Sequence, residues 1–188
     1  MEKRMYGLVN YQLTGIQMGI QFLHGVVEYS RLISNLGLTD ELERYNEWAD
    51  NDKTVILLNG GTTNNRIVNG QYVGTLNQHK ESLDKNGITN VSFSEIDLGD
   101  QMTSVVFIVD ERVFNKKNYP DFEDWIIENY GDLLISNSGN YKSSYQAAKS
   151  MRLSKSEEDK KVYQIWVEFV GGEKNVFLRD FLKNFRLA

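Results

Sequence analysis

The sequence predicts an α/β fold: a small mixed, mostly parallel four-stranded sheet with helices on both faces, followed by a helical C-terminal extension. Three observations predict it. Short apolar runs of strand length alternate with segments of helical periodicity between Met5 and Val109. Polar or glycine-rich turns separate them. After Phe114 the strand-like runs stop and only helical periodicity remains, which divides the chain into an α/β part, 1–114, and an extension, 115–188.

Met5–Asn10 (MYGLVN) reads as a short buried strand. Gly15–Leu36 reads as a helix with Thr14 placed to cap it; its apolar set is Ile16, Ile20, Leu23 and Val27, at spacings of four, three and four. A second stripe on the same helix is Gln17, Gln21, His24 and Glu28. Asp40–Trp48 is a shorter helix candidate. Lys53–Leu58 (KTVILL) is a strand whose continuous apolar run suits burial on both faces. It runs into Asn59–Asn65 (NGGTTNN), which lacks the Gly-x-x-x-x-Gly-Lys-Ser/Thr pattern of a phosphate-cradling loop. That segment reads as a surface loop, with ligand contact left open. Gly74–Asn86 forms a further helix, ended by Gly87 in a left-handed conformation. Asn90–Ile96 and Met102–Val109 are strands, joined by Asp97-Leu98-Gly99-Asp100 as an antiparallel hairpin or a sharp corner. The strand–helix–strand order implies parallel pairing with right-handed crossovers.

In the extension, Pro120 can open a helix at its first position. Asp121–Tyr130, Tyr141–Leu153 and Glu157–Val170 carry helical periodicity, and Ser154 with Glu157 fits a capping box. Gly171-Gly172 breaks the run before a last helix containing Val176, Leu178 and Phe181. Asp121, Glu123 and Asp124 fit a charged first helical turn. Trp125, Trp166, Phe169, Phe177, Phe181 and Phe185 are too many aromatic residues for a solvated tail. They cover the α/β part or form a subunit interface, and a homo-oligomer, dimer or tetramer, is expected.

The absence of cysteine removes disulfide and thiolate-metal chemistry. Two histidines, His24 and His79, are too few for a histidine-rich zinc site; a carboxylate-held Mg²⁺ stays open, and no metal or cofactor is called for. A net charge of −5 argues against a large nucleic-acid partner, because phosphate neutralisation needs clustered Lys and Arg. It does not argue against a small nucleotide held by neutral donors. The uncharged stretch Leu13–Val27 falls short of the ~20 apolar residues of a membrane span and contains Gln17, Gln21 and His24. No membrane partner and a cytoplasmic location are expected.

Two segments resemble the type 2 peptidyl-tRNA hydrolases. Gln21-Phe22-Leu23-His24-Gly25 is similar to the Ala-Gln-x-x-His-Ala segment on that family's first helix. Leu83–Val109 resembles its later half, in which a helix ends in a glycine and leads to a strand, an Asp-x-Gly turn and another strand. Here the pieces are Asn86-Gly87-Ile88, Val91–Glu95, Asp97-Leu98-Gly99 and Thr103–Val109. The Asp-Leu-Gly-Asp turn is similar to a phage and bacterial branch of the family. Two departures bear on activity. Where the family carries a lysine that serves the active site, this chain has Gln17, and an arginine position of the turn has become Asp100. Both changes weaken attraction to tRNA phosphate.

The resemblance places the start of the first helix and the Asp-x-Gly turn on one crevice, at strand ends where α/β ligands bind. The candidate ligand-binding residues are Asn10, Gln12, Thr14, Gln17, Gln21, His24, Asp97, Gly99, Asp100 and Thr103. Amide side chains read base edges with paired donors and acceptors, and a helix N-terminus holds phosphate without a lysine. The resulting expectation is a non-catalytic phage anti-CBASS sponge. It would bind and sequester a cyclic oligonucleotide immune signal, such as a cyclic dinucleotide of the cGAMP type, in the host cytoplasm. Two enzymatic readings stay open: a peptidyl-tRNA hydrolase, or an enzyme that cleaves the nucleotide signal with His24 and Asp97 as partners. So do plain ones. The Gln17–Glu28 stripe reads equally as a solvated face, His24 as a packed histidine and Asp97 as a turn cap.

Overall fold

A computed structural model of the chain describes residues 1–136 and 144–188, with backbone alone for 132–136. It divides into two units, Met1–Glu111 with Phe181–Ala188, and Arg112–Asp180. Phe181–Ala188, expected in the helical extension, thus belongs with the α/β part.

The first unit contains β1 (Lys3–Asn10), α1 (Gly15–Asn35), α2 (Thr39–Glu47), a π turn at Trp48–Asp52, β2 (Thr54–Gly61), β3 (Ile67–Val68) and β4 (Gln71–Tyr72). It continues with α3 (Thr75–Lys85), β5 (Val91–Glu95), a 3-10 turn at Ile96–Leu98 and β6 (Gln101–Asp110). The four-stranded sheet has the order β2-β1-β6-β5, and β3 pairs only with β4. β1 and β2 are parallel, whereas β6 runs antiparallel to both β1 and β5. The sheet is therefore mixed, with a single parallel pair, and the expectation of mostly parallel pairing is corrected. The cause is the short link between β5 and β6. A parallel neighbour needs a crossover of roughly a dozen residues or more. Here Gly99 and Asp100, at φ 68° and 56°, turn the chain straight back.

Alternation along β1 sends Met5, Gly7 and Val9 toward α1. Phe22, Val26, Tyr29 and Ile33 of that helix meet Met5, Val9, Val106 and Ile108 in one cluster. Two glycines set the approach. A Cβ on Gly25 would lie 2.3 Å from Val106 Cγ2, and one on Gly7 would lie 2.4 Å from Phe22 Cδ2. The core face of α1 is therefore not the Ile16–Ile20–Leu23–Val27 set. Those side chains are 81%, 47%, 59% and 51% exposed. α1 is apolar on two faces, and close backbone approach at Gly25 selects the face that is buried.

On the other side of the sheet Tyr6 stacks on Phe107, and Phe107 meets Phe181 edge to face. Leu76 of α3 crowds Gly60 beside Leu8. Helical segments thus lie on both faces. β2 is an edge strand, so its apolar run is not buried on both faces as expected: Val55 is exposed and Leu58 buried. The chain's own C-terminus covers its outer edge. Asn59 N–H donates to Arg186 O at 2.9 Å, and Ala188 N–H to Leu57 O at 3.0 Å.

His79 of α3 holds this C-terminal segment, with its ring edge-on to Phe181 and Phe185 at centroid distances of 5.8 and 4.7 Å. Burial pushes the His79 imidazole below its usual value. The folded state thus disfavours the protonated ring. Stability from this site is complete above the unfolded value of about 6.5 and is lost as pH falls from there through the folded value. Urea denaturation at pH 7.5 and 5.5 should show a fall in stability that His79→Gln reduces.

The second unit includes α5 (Phe122–Ser136), α6 (Ser144–Arg152) and α7 (Glu157–Phe169). α4 (Glu111–Phe114) begins at the last residue of the first unit's main segment, and α8 (Glu173–Leu182) ends inside its C-terminal segment. Phe122, Trp125, Ile126, Ala147, Ala148, Trp166, Val167, Val170 and Val176 form the second unit's core. Trp125, Trp166 and Phe181, expected to cover the α/β part or to form a subunit interface, are buried within the chain. Pro120 precedes α5 instead of opening it. The N-cap of α7 is Ser156, which accepts from Asp159 N–H, so the Ser154–Glu157 box does not form. The expected start of a helix at Tyr141 lies outside the described residues. Among the described residues no helix is long and apolar enough to cross a membrane.

Candidate functional site

The expected site residues separate into a buried joint and exposed positions. Gln21 is the centre of the joint. Its Nε2 donates to Glu95 Oε2 at 2.8 Å, its Oε1 accepts from Thr103 Oγ1 at 2.7 Å, and its carbonyl accepts from Ser104 Oγ at 2.8 Å. Register slips between Phe93 and Ser94 of β5, opposite Ser104 and Met102, so Thr103 bulges from the ladder and reaches α1. These groups tie the helix to the sheet and are occupied by one another. Thr14 and Gln17 are occupied as well. Gln17 N–H donates to Thr14 Oγ1 at 3.4 Å, and Gln17 Oε1 accepts from Thr14 N–H at 3.0 Å, in a reciprocal capping box.

Gln12, His24, Asp97, Gly99 and Asp100 are exposed. His24 rests edge-on against Phe93, and among the described residues no hydrogen bond joins it to Asp97. The structure thus brings Gln21 and Thr103 together, and among the described residues no hydrogen bond joins them to Asp97 or Asp100 or pairs His24 with an acid.

Asn10 leads elsewhere. Its Oδ1 accepts from Gln12 N–H at 2.9 Å, and its Nδ2 donates to Thr63 Oγ1 at 3.1 Å. Thr63 Oγ1 in turn donates to the Met102 carbonyl. This chain of bonds anchors the loop that follows β2, at the carboxyl ends of β1 and β2, where ligands of α/β sheets bind. Beside it lies a cavity of about 550 Å³, lined by Asn65, Ile67, Tyr72, Asn77, Lys80, Glu81, Asp84 and Met102. Small-ligand sites commonly span roughly 300–1,000 Å³.

The cavity walls are held by α3. The Asn77 Oδ1 accepts from Asn64 N–H at 3.0 Å, and its Nδ2 donates to Asn65 Oδ1 at 2.7 Å. Asn65 thereby accepts from Asn77 through its carbonyl, which leaves its amide N–H groups facing away from that bond. Gln78 Nε2 donates to the Tyr72 carbonyl, which pins β4 and its ring to the helix. Thr62 N–H donates to Thr75 Oγ1 at 2.9 Å. The charges in the wall are balanced locally. Lys80 pairs with Asp84 at 2.7 Å, and Glu81 with Lys85 at 2.8 Å. Burial raises the Asp84 carboxyl, but hydrogen bonds from Lys80 and Asn90 and the Lys80 charge outweigh it and hold the group below its usual value.

The cavity thus presents an aromatic ring, two carboxamides, one ammonium group and two carboxylates, with Ile67 and Met102 as apolar lining. Among the described residues no group of three or more His, Asp or Glu side chains is placed to hold a metal ion. Tyr72, Ile67 and Asn77 lie outside the residues expected from the sequence. One signal marks the first two: Asn69-Gly70 stands between Ile67-Val68 and Gln71-Tyr72, and Asn-Gly favours tight hairpin turns. Both turn residues adopt positive φ, 52° and 77°. Asn77 carries no local signal, because its role depends on the loop it grips. No family model, no curated protein and no solved structure matches the chain.

Proposed function

We propose that this chain binds a small nucleotide without altering it, in the cavity between the loop after β2, the β3–β4 hairpin and α3. The carrying observation is the lining: Tyr72, Asn65, Asn77 and Lys80 around about 550 Å³ at the strand ends. A tyrosine ring offers a base a stacking surface, worth roughly 1–3 kcal/mol. The Asn65 carboxamide, held in place by Asn77, matches a base edge, and the Lys80 ammonium, shared with Asp84, suits a phosphate. The lining lacks a nucleophile held by a base, which favours binding over catalysis.

Within the nucleotides, the cyclic dinucleotides are the favoured class. The resemblance of Gln21–Gly25 and Asp97–Gly99 to the type 2 peptidyl-tRNA hydrolases, with glutamine in place of the active-site lysine, supports a hydrolase-like frame used for sequestration. The proposed ligand site lies at the Asn65–Tyr72–Asn77 wall, reached from Asn10 through Thr63, and not along the Gln17–His24 face.

The test is capture and release. The protein is mixed with a panel of cyclic di- and trinucleotides, and the small molecules are recovered after heat denaturation for mass analysis, with peptidyl-tRNA as a parallel substrate. Stoichiometric capture of one nucleotide, released intact, is the expected result. Turnover of any member beyond one equivalent would replace binding by catalysis. Tyr72→Ala should weaken capture by about tenfold or more, the loss of one stacked base, with the fold unchanged because the ring is partly exposed.

A further inference from the structure

We propose that two copies of this chain associate through the outward face of α1 as an antiparallel helix pair about a two-fold axis. The face is Ile16, Ile20, Leu23 and Val27, which the fold leaves 47–81% exposed. Isolated exposed apolar residues are ordinary, but a contiguous row on one helix marks an interaction surface.

The pattern of the row says what covers it. Spacings of four, three and four form the seam by which one helix packs against another. They also read the same in both directions. An antiparallel copy therefore sets Ile16 opposite the second copy's Val27, and Ile20 opposite its Leu23, which a two-fold interface requires. Charge agrees. Leu13–Val27 carries no charged residue in a chain of net charge −5, so two copies meet on this face without opposing like charges.

Gly19 points the same way. Glycine inside a helix costs about 1 kcal/mol relative to alanine. The cost is explained at Gly25, where Val106 fills the space a Cβ would need, but a Cβ on Gly19 would have nothing within 4 Å. Among the described residues nothing packs against Gly19, and a glycine there lets a second helix beside Ile16, Ile20 and Leu23 approach closely. A lipid surface fits poorly. Interfacial helices carry rows of Lys and Arg, and α1 has only Arg31, paired with Glu28 at 3.3 Å.

The experiment measures mass in solution by light scattering, together with cysteine cross-linking. The chain has no native cysteine, so cross-links report only the introduced pairs. The wild-type chain is expected at twice its 21.7 kDa mass. Leu23→Glu should halve the mass while leaving the thermal midpoint of the monomer intact. Under oxidation, Ile16→Cys mixed with Val27→Cys should cross-link, and Ile16→Cys alone should not. A monomeric wild-type chain at micromolar concentration would overturn the proposal. So would a dimer that survives Leu23→Glu, or preferential cross-linking of Ile16→Cys to itself. None of these outcomes depends on nucleotide binding.

Discussion

A Gly74→Ala chain is expected to lose nucleotide capture and about 2 kcal/mol of stability, the middle of the range for forced overpacking. An added Cβ would lie 2.1 Å from the Asn64 backbone nitrogen, 2.6 Å from Asn77 Oδ1 and 2.8 Å from the Thr63 carbonyl carbon. Two of the three neighbours are backbone, so no side-chain rotation relieves the clash. The loop has to move, and it is the loop that carries Asn65. Moving it also breaks the bonds from Asn64 N–H to Asn77 and from Gly74 N–H to the Asn64 carbonyl. Urea denaturation measures the stability loss, and capture from the cyclic nucleotide panel measures the functional one. Gly70→Ala is the control. Unlike Gly74, which sits at φ −74°, Gly70 has positive φ, but its Cβ would meet nothing within 4 Å, so the substitution should lose stability and retain capture.

The second large effect belongs to the helical unit. Arg179→Met should destabilise the protein by about 3 kcal/mol, the lower end of what breaking a buried ion pair costs. The side chain of Arg179 is 1% exposed. Its Nη2 donates to Asp121 Oδ1 at 2.6 Å and to the Tyr119 carbonyl at 2.8 Å, its Nη1 donates to the Arg112 carbonyl, and the guanidinium lies 5.7 Å from the Trp166 ring centroid. Methionine keeps the packing volume and leaves those acceptors without their donor. The lower end applies because Lys116 still pairs with Asp121 at 2.9 Å.

The same pair makes an acid signature. Burial raises the Asp121 carboxyl, but hydrogen bonds from Lys116 and Arg179, with their charges, overcome this and hold it well below the usual carboxylate range. A depressed carboxylate contributes stability above its unfolded value, about 3.9, and loses it as pH falls through the folded value. Arg179→Met should therefore flatten the stability loss below pH ~4, a window separate from that of His79.

Much of the fold was legible because local rules and tertiary contacts agree. Thr14 caps α1, Gly87 ends α3 at φ 65°, and the Asp97–Asp100 link makes a hairpin. The burial of α1 was not legible. Ile16, Ile20, Leu23 and Val27 satisfy the same periodicity as Phe22, Val26, Tyr29 and Ile33, and periodicity cannot rank two apolar faces. What decides is the space at Gly25 opposite Val106, a tertiary fact. The edge position of β2 is not legible in the sequence for a related reason. Its apolar run is covered at the edge by Arg186–Ala188, far away in sequence.

The candidate site divides the same way. Asn10 is the one expected residue whose hydrogen bonds lead toward the cavity, through Thr63. Gln21 and Thr103, both expected to meet a ligand, meet each other in a joint between α1 and the sheet. Side-chain type alone does not separate an amide that fastens a helix from one that awaits a ligand. Hydrogen-bond partners separate Gln21, engaged at both its amide oxygen and nitrogen, from Asn65, which accepts through Oδ1 and lines the cavity; Gln17 also accepts through its oxygen, but at the exposed start of α1.

The most direct test is an ¹⁵N–¹H spectrum of the protein titrated with the cyclic dinucleotide that it captures. The account predicts that the side-chain amide resonances of Asn65 and Asn77, and the backbone resonances of residues 61–66 and 71–80, shift to saturation at one equivalent. The resonances of Gln17, His24 and Asp97 should stay in place. Shifts concentrated on Thr14–His24 and Asp97–Thr103, with the Asn65–Tyr72–Asn77 wall unmoved, would contradict it and return the ligand to the first helix.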